Sequence, residues 1–587
     1  MKFKDCFLQE QGYLRQLGDD FVKDDPRLAP FLGSSASDPD VEYLMEHFAF
    51  LATRLVMKVE DDLPELTHPL LQLHYPNALR PLPSMTLIQF RPVDHALSET
   101  QLLPKGTAVF SRPIDGTRCE FRTCEALPVA PLEVRTITLQ PSPTAPRLRI
   151  DLNTLSDQPL QRLRCASLRF QLGGGSRNAL TIYQWLAQHL HKLYLHVGQR
   201  RFALPGAVTF VGFEPHEALC PGPNEHLDGH RTLEEFFCYP ERFHGFRIDG
   251  LDSYWPDEAV AQVQLEFCFD APLPDDVQID PSTVLLNCIP AINLFSRSAE
   301  PIALGAKAAP EPVRMRPQDC AEDEIFSLDQ VSSQPCRANV AAQIYQPFEA
   351  IDRAFPLAEA QTSLYYRLDI EHEPVNDKVI HKVALVQHNL EPCLHQHEQL
   401  NIELTCSNGN RPQRLGIGDV GGVTQDTPSF VTYRNLTIPT RSYPPLLQSG
   451  GDGKHHWALI SNLSPNDLSL SSPAALAAVI KAYDFVGEHD VQQRRRTQQR
   501  LDAITQIHSE PCDWLIRGLP VRGKRTTLHI DPAGFECEGE LQLFGNVLSH
   551  FMALYASSHS FHQLQIVNTA TSACQQWPAL SGRHAVM

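Results

Sequence analysis

Apolar positions at the start of the chain recur at helical spacing. Phe3, Phe7, Leu14, Leu17 and Phe21 fall on one face of a first predicted helix, which Pro26 and Pro30 close off. A second helix is predicted from Asp38, a capping residue. Pro39 suits its first helical position, and Asp40 and Glu42 sit near the positive end of the macrodipole. Along it Val41, Leu44, Phe48, Leu51, Leu55 and Val59 recur at steps of three and four and share one face. At roughly 1.5–3 kcal/mol per buried large side chain, that stripe is worth on the order of 10–15 kcal/mol of gross burial as an upper bound, so it needs a partner surface. Pro64 either ends this helix or opens the next with Asp62 as its cap; Pro76, Pro81 and Pro83 then drive the chain out of helix. Residues 1–83 are expected to be an N-terminal helical unit, a hairpin or part of a bundle.

From Met85 the pattern turns to strands. Met85–Phe90, Thr107–Ser111, Thr117–Thr123, Val134–Gln140, Arg147–Leu152 and Ser167–Leu172 alternate or are rich in β-branched and aromatic residues, with Pro and Gly between them. Ala179–Leu193 reads as a helix, Glu214–Arg231 as a Pro-, Gly- and His-rich loop, and Gln262–Asp270 and Thr283–Leu294 as late strands. Residues 84–305 are therefore expected to be a first β-rich, sandwich-like domain, 306–323 a linker, and 324–455 a second β-rich domain built on Leu364–Ile370, Val379–Gln387, Leu400–Cys406 and Phe430–Asn435. Residues 456–587 mix the predicted helices Ala474–Phe485 and Leu541–Ala556 with the strands Thr526–Ile530 and Phe561–Val567. The predicted class is α+β, multidomain.

Composition narrows the function. A length of 587 residues exceeds one core, and 42% hydrophobic with 20% charged residues is a globular balance. A net charge of −19 argues against a nucleic-acid binder, which would carry a basic footprint. Fifteen scattered cysteines without a Cys-x-x-Cys pair read as reduced, mostly buried thiols. The N-terminus lacks the apolar region of a secretory signal, and no apolar run approaches the ~20 residues needed to span a bilayer. The expectation is a cytoplasmic protein without direct membrane insertion.

Candidate chemistry does not survive inspection. Gly518-Leu519-Pro520-Val521-Arg522-Gly523-Lys524 has Walker A spacing, yet Arg525 stands where Ser or Thr must hold magnesium, and Thr526–Ile530 reads as a strand where a helix should receive phosphate. A hairpin turn or solvated basic loop is the stronger reading. His388, Cys393, His395 and His397 meet the count for zinc, but their spacing matches no familiar site. His216-Glu217 lacks the second histidine of His-Glu-x-x-His, and no Gly-x-Ser-x-Gly elbow exists. Arg494-Arg495-Arg496 among glutamines is a solvated helix face or a docking patch for an acidic partner. No catalytic, cofactor or metal site is expected, and the apolar helices point to an interaction protein.

Particular runs carry a family resemblance. Tyr13-Leu14-Arg15, Pro26 to Gly33, Asp38 to Glu42, Phe48 to Leu51, Leu63 to His68, Leu79-Arg80-Pro81 and Pro83-Ser84-Met85 closely resemble the start of the TssF family, baseplate subunits of the bacterial type VI secretion system. Asn287 to Phe295, Ala299 to Ile302, Leu404 to Gly409, Trp457 to Ser464 and Ala553 to Ser557 continue the likeness, which spans about residues 7–567. The resemblance implies a cytoplasmic wedge subunit that binds TssG, with a second copy of itself in the wedge. It also implies connection to TssK, TssE, the VgrG spike hub and the sheath through the assembled baseplate. Partner-contact residues expected on this basis are Phe7, Leu14, Leu17, Phe48, Leu51, Leu55, Arg80, Pro81, Arg494 and Arg495, with Arg80–Met85 setting the angle between the helices and the first β domain. The alternatives are a wedge protein of a related phage-tail-like contractile particle, or a cytosolic nucleotide- or metal-dependent hydrolase using Lys524 or the His388–His397 cluster.

Overall fold

A computed structural model describes residues 3–24, 27, 39–60, 64–142, 146–156, 159–163, 165–204, 208–222, 228–258, 260–303, 310–316, 322–335, 343–348, 365–373, 378–386, 398–425, 427–447, 454–463, 470, 472–516 and 519–582. Helices α1 (Phe3–Asp24) and α2 (Pro39–Glu60) form where the periodicity placed them. They run antiparallel, because Arg15 pairs with Glu42 (2.7 Å) and Gln11 donates to Glu46 (3.1 Å). Helix α3 (Pro64–His74) follows and runs into a 3-10 turn, Pro76–Leu79, whose Ala78 and Leu79 are buried.

Six antiparallel strands then form one sheet in the order Val420–Gly422, Ala108–Ile114, Thr117–Thr123, Cys288–Ile292, Met85–Pro92, Val431–Asn435. Met85–Pro92 is the pivot, pairing with Cys288–Ile292 on one side and Val431–Asn435 on the other. The boundary expected at 306–323 is thus crossed: strands at 420–435 complete the sheet of the first β-rich segment. Conversely Phe295–Ser298, expected in the first segment, pairs with Glu398–Ser407 in an eight-stranded sheet otherwise built from residues 302–407. Strand partners far apart in sequence leave no local signature, and the segment boundary rested on local pattern alone.

A five-stranded sheet (Arg200–Leu204, Leu190–Val197, Gln262–Phe269, Arg147–Thr154, Leu132–Gln140) and a four-stranded one (Thr209–Phe210, Gly245–Asp249, Ser167–Leu172, Val284–Leu286) enclose most of the remaining apolar residues of the first segment. Helix α4 (Ser176–Gln188) ends five residues before the predicted Leu193. Leu190, Lys192 and Leu193 instead join a strand that pairs with Gln262–Phe269. Helix α5 (Asp228–Cys238) begins in what reads as loop. Downstream come α6 (Lys454–Leu463), α7 (Pro473–Lys481), the short α8 (Phe485–His489), α9 (Val491–Asp502) and α10 (Glu538–Met552). The C-terminal sheet runs Ile504–Ile516, Leu519–Ile530, Phe561–Asn568, Cys574–Gln576, with Leu580–Ser581 also on Phe561–Asn568. One core joins Leu71 and Tyr75 of the α3 region, the five- and four-stranded sheets, and Leu541, Phe544, Val547, Leu548 and Phe551 of α10. The C-terminal region therefore shares its core with the first β-rich segment.

Candidate functional site

The α1–α2 hairpin is closed by its small and polar residues. Ala49 and Thr53 are buried, Gly18 is enclosed, and Glu42 and Glu46 make the cross-helix bonds. At 3.6 residues per turn Leu44, Phe48 and Leu51 lie on the opposite side of α2 from those four. They are 70%, 60% and 57% exposed. On α1 the predicted face splits: Phe7 and Leu14 are half-buried, while Leu17 and Phe21 are exposed together with Leu8 and Tyr13. Leu55 lies on α2, with its side chain outside the described residues. Helix α3 repeats the arrangement, with Thr67 and Leu71 buried and Leu66, Leu70 and Leu73 exposed. On α2, Leu44, Phe48 and Leu51 recur at steps of three and four, so they form one exposed apolar strip.

Arg80 and Pro81 face inward. Pro81 is buried, and Arg80 donates to the Asn77 side chain (3.1 Å) and the Pro221 carbonyl (3.3 Å), its guanidinium 5.1 Å from the Phe326 ring centre. Loss of water lowers the pKa of this guanidinium. Leu82 exchanges two backbone bonds with Tyr443 (2.8 and 3.0 Å), and Met85 N–H donates to Thr440 (2.9 Å). The cavity here, about 20 Å³ and bordered by Arg80, Glu234, Phe326, Tyr443 and His489, has space for about one water and none for a cofactor. The segment is a clasp between the helical N-terminus and the strands that follow.

Two of the runs that carry the resemblance meet in space. Asn293 donates to the Glu120 carbonyl (2.7 Å) and the Asn408 side chain (2.9 Å) and accepts from Asn408 N–H (2.7 Å). Asn408 in turn donates to Asp323 (2.9 Å). Gly409 beside it has φ +53°, and a Cβ there would come 2.6 Å from the Glu322 carbonyl, so only glycine suits the turn. This pair ties the six-stranded sheet to the eight-stranded one.

The candidate chemistry resolves into structure. Lys524 and Arg525 lie within strand Leu519–Ile530, in a hairpin with Ile504–Ile516, and no helix follows the lysine. Glu217 is buried and accepts from Gly212 N–H (2.6 Å) and Glu214 N–H (3.1 Å), holding a turn. The His388–His397 cluster lies outside the described residues. Among the described residues no group of His, Cys, Asp and Glu is placed to hold a metal, and no helix is long and apolar enough to cross a membrane. Arg494 is used internally: it donates to the Gly487 (2.8 Å) and Glu488 (2.9 Å) carbonyls at the end of α8. Its neighbour Arg495 is exposed.

The model of the family described as "Type VI secretion system, TssF" matches residues 1–584. The chain belongs to the TssF family. As a TssF it is a component of a type VI secretion baseplate. It is 29% identical to the type VI secretion system component TssF1 of Pseudomonas aeruginosa over 628 aligned positions, 98% of each chain. Among solved structures it is similar to a chain of the TssK–TssF–TssG baseplate subcomplex determined by cryo-electron microscopy, with a TM-score of 0.77 and 26% identity over 92% of this chain and 99% of that one. It also shares its fold with a chain of the type VI baseplate complex, with a TM-score of 0.67 and 24% identity over the full length of both.

Proposed function

We propose that this TssF is a non-catalytic wedge subunit whose α1–α2 hairpin packs against a TssG partner and a second copy of itself. The observation that carries this reading is the side of α2 bearing Leu44, Phe48 and Leu51, which its own chain leaves in solvent. A hairpin sealed by Ala49 and Thr53 keeps its large apolar groups for another helix, the usual economy of an obligate bundle. Phe7, Leu14, Leu17 and Leu55 extend the same contact. Arg80 and Pro81 act from inside, fixing the direction in which the hairpin leaves the β-rich body, and Arg495 remains a docking candidate on α9. The protein works in the cytoplasm, where wedges bearing TssK and TssE surround the VgrG hub and seat the sheath. It comprises a helical N-terminus and a β-rich body with which the C-terminal α/β part shares its core.

Co-expression tests this. With a TssG partner the chain is expected to purify as a stable complex, and alone it is expected to aggregate. Phe48→Asp with Leu51→Asp should lose the complex and recover a soluble chain, because the charges replace an interface and not a core. A monodisperse wild-type monomer indifferent to TssG would overturn the reading.

A further inference from the structure

The C-terminal sheet ends on a short strand, Cys574–Gln576, paired on its inner side with Phe561–Asn568. Trp577 N–H donates to the Leu564 carbonyl and Asn568 N–H to the Ala573 carbonyl, both at 2.9 Å. Inward and outward groups alternate in an antiparallel ladder, so Ala573, Gln575 and Trp577 address the neighbouring strand. The N–H and C=O of Cys574 and Gln576 then point to the outer edge. That edge borders a groove of about 730 Å³ walled by α4 and α10, within the size range of ligand sites.

The groove mixes amide side chains with apolar ones such as Leu186, Phe210 and Pro578, and it is nearly uncharged. Its floor is a chain of amides: Gln188 donates to Gln542 (2.8 Å), Gln575 donates to the same oxygen, and Gln542 donates to Asn546 (3.3 Å). The lining carboxylate, Glu538, accepts from Gln184 (3.2 Å), and the lining imidazole, His189, is bonded to Asp270 (2.9 Å). Among the described lining residues there is no Lys or Arg to hold a phosphate or nucleotide. An uncharged chain of alternating donors and acceptors, which is to say polypeptide backbone, finds a strand edge that no described strand covers and a wall that is nearly uncharged among its described residues.

We propose that this groove receives an extended, uncharged segment of another assembly subunit, added as a strand alongside Cys574–Gln576. The inference rests on the reading of the chain as an assembly subunit, and concerns a surface separate from the α1–α2 hairpin. The test places the photo-crosslinking residue p-benzoylphenylalanine at Cys574 in the full chain, assembled with its TssG and TssK partners. Irradiation should join it to one short contiguous segment of a partner subunit. Amide exchange at Cys574 and Gln576 should slow at least about tenfold on assembly. Gln576→Pro removes an outward N–H without touching the inner ladder, and should abolish the crosslink and the slowed exchange at Cys574 while the chain stays folded. An intact assembly with crosslinks confined to this chain or its copy, or with no change in exchange, overturns the strand-receiving groove and leaves the baseplate reading standing. Failure of any assembly to form overturns both.

Discussion

Asn293 shows how one side chain can hold two sheets. It is fully enclosed, and its amide serves the Glu120 carbonyl and both the backbone and side chain of Asn408. Asn293→Ala strands these groups without solvent. The expected cost is about 1–3 kcal/mol, read as a lowered denaturation midpoint. Glu234 is the second residue whose burial has a measurable consequence. Burial raises its pKa to about 7, with the nearby Glu235 adding to the rise, while the hydrogen bond from Tyr75 opposes it. A carboxyl that holds its proton more tightly folded than unfolded stabilises fully below the unfolded pKa of 4.5, and loses that stabilisation as pH rises through about 7. Glu234→Gln keeps a neutral hydrogen-bonding group at every pH. The stability difference in favour of Gln should therefore widen between pH 4.5 and about 7 and then level off, measured as melting temperature across that range. A constant difference would show that Glu234 does not titrate there.

Helix α10 packs against α4, α5 and the strand Phe561–Asn568. A Cβ on Gly539 would lie 2.1 Å from the Leu180 carbonyl of α4, so the two helices touch through a glycine. Gly539→Ala should force them apart at a cost of about 1–3 kcal/mol or more, visible as a lower urea midpoint. This helix was legible in the sequence because Phe544, Val547, Leu548 and Phe551 repeat at helical spacing, and all four are buried. Helix α5 was not, for a physical reason. It is only eleven residues long and opens with Asp228-Gly229-His230, which read as loop, and it buries Glu234 and Glu235, the latter bonded to Arg231 (2.7 Å) and to Arg242, beside Leu233, Phe236 and Phe237. The stripe on α2 was plain in the pattern, but which side met the chain was not. The seam uses Ala49 and Thr53, residues too small to register as an apolar face, and the large residues look outward. Arg494 also bonds to carbonyls at the end of α8, and those bonds depend on a helix end that spacing alone does not locate.

At the scale of the whole molecule, stability is unevenly distributed. One core runs from Leu71 of α3 through the first β-rich segment to Trp577, so those parts should unfold together. The α1–α2 hairpin contributes nothing to that core among the described residues, and its seam encloses few side chains. Among their described side chains these 22-residue helices bury mostly small residues, and helical stability in proteins comes mainly from tertiary packing of an apolar face. Amides of α1 and α2 in the isolated chain should therefore exchange through openings of about 1–2 kcal/mol, while those of α10 wait for global unfolding. Adding TssG should slow exchange in α1 and α2 by orders of magnitude and leave α10 unchanged, because the partner covers Leu44, Phe48 and Leu51 and not the shared core. Native-state hydrogen exchange of the chain alone and in complex separates this from the alternative, in which the hairpin is already as protected as α10 and its outward apolar groups carry no binding energy. A subunit of this kind keeps its rigid body folded before assembly and completes its N-terminus only against its neighbours, so ordering of the hairpin and joining of the wedge are one thermodynamic event.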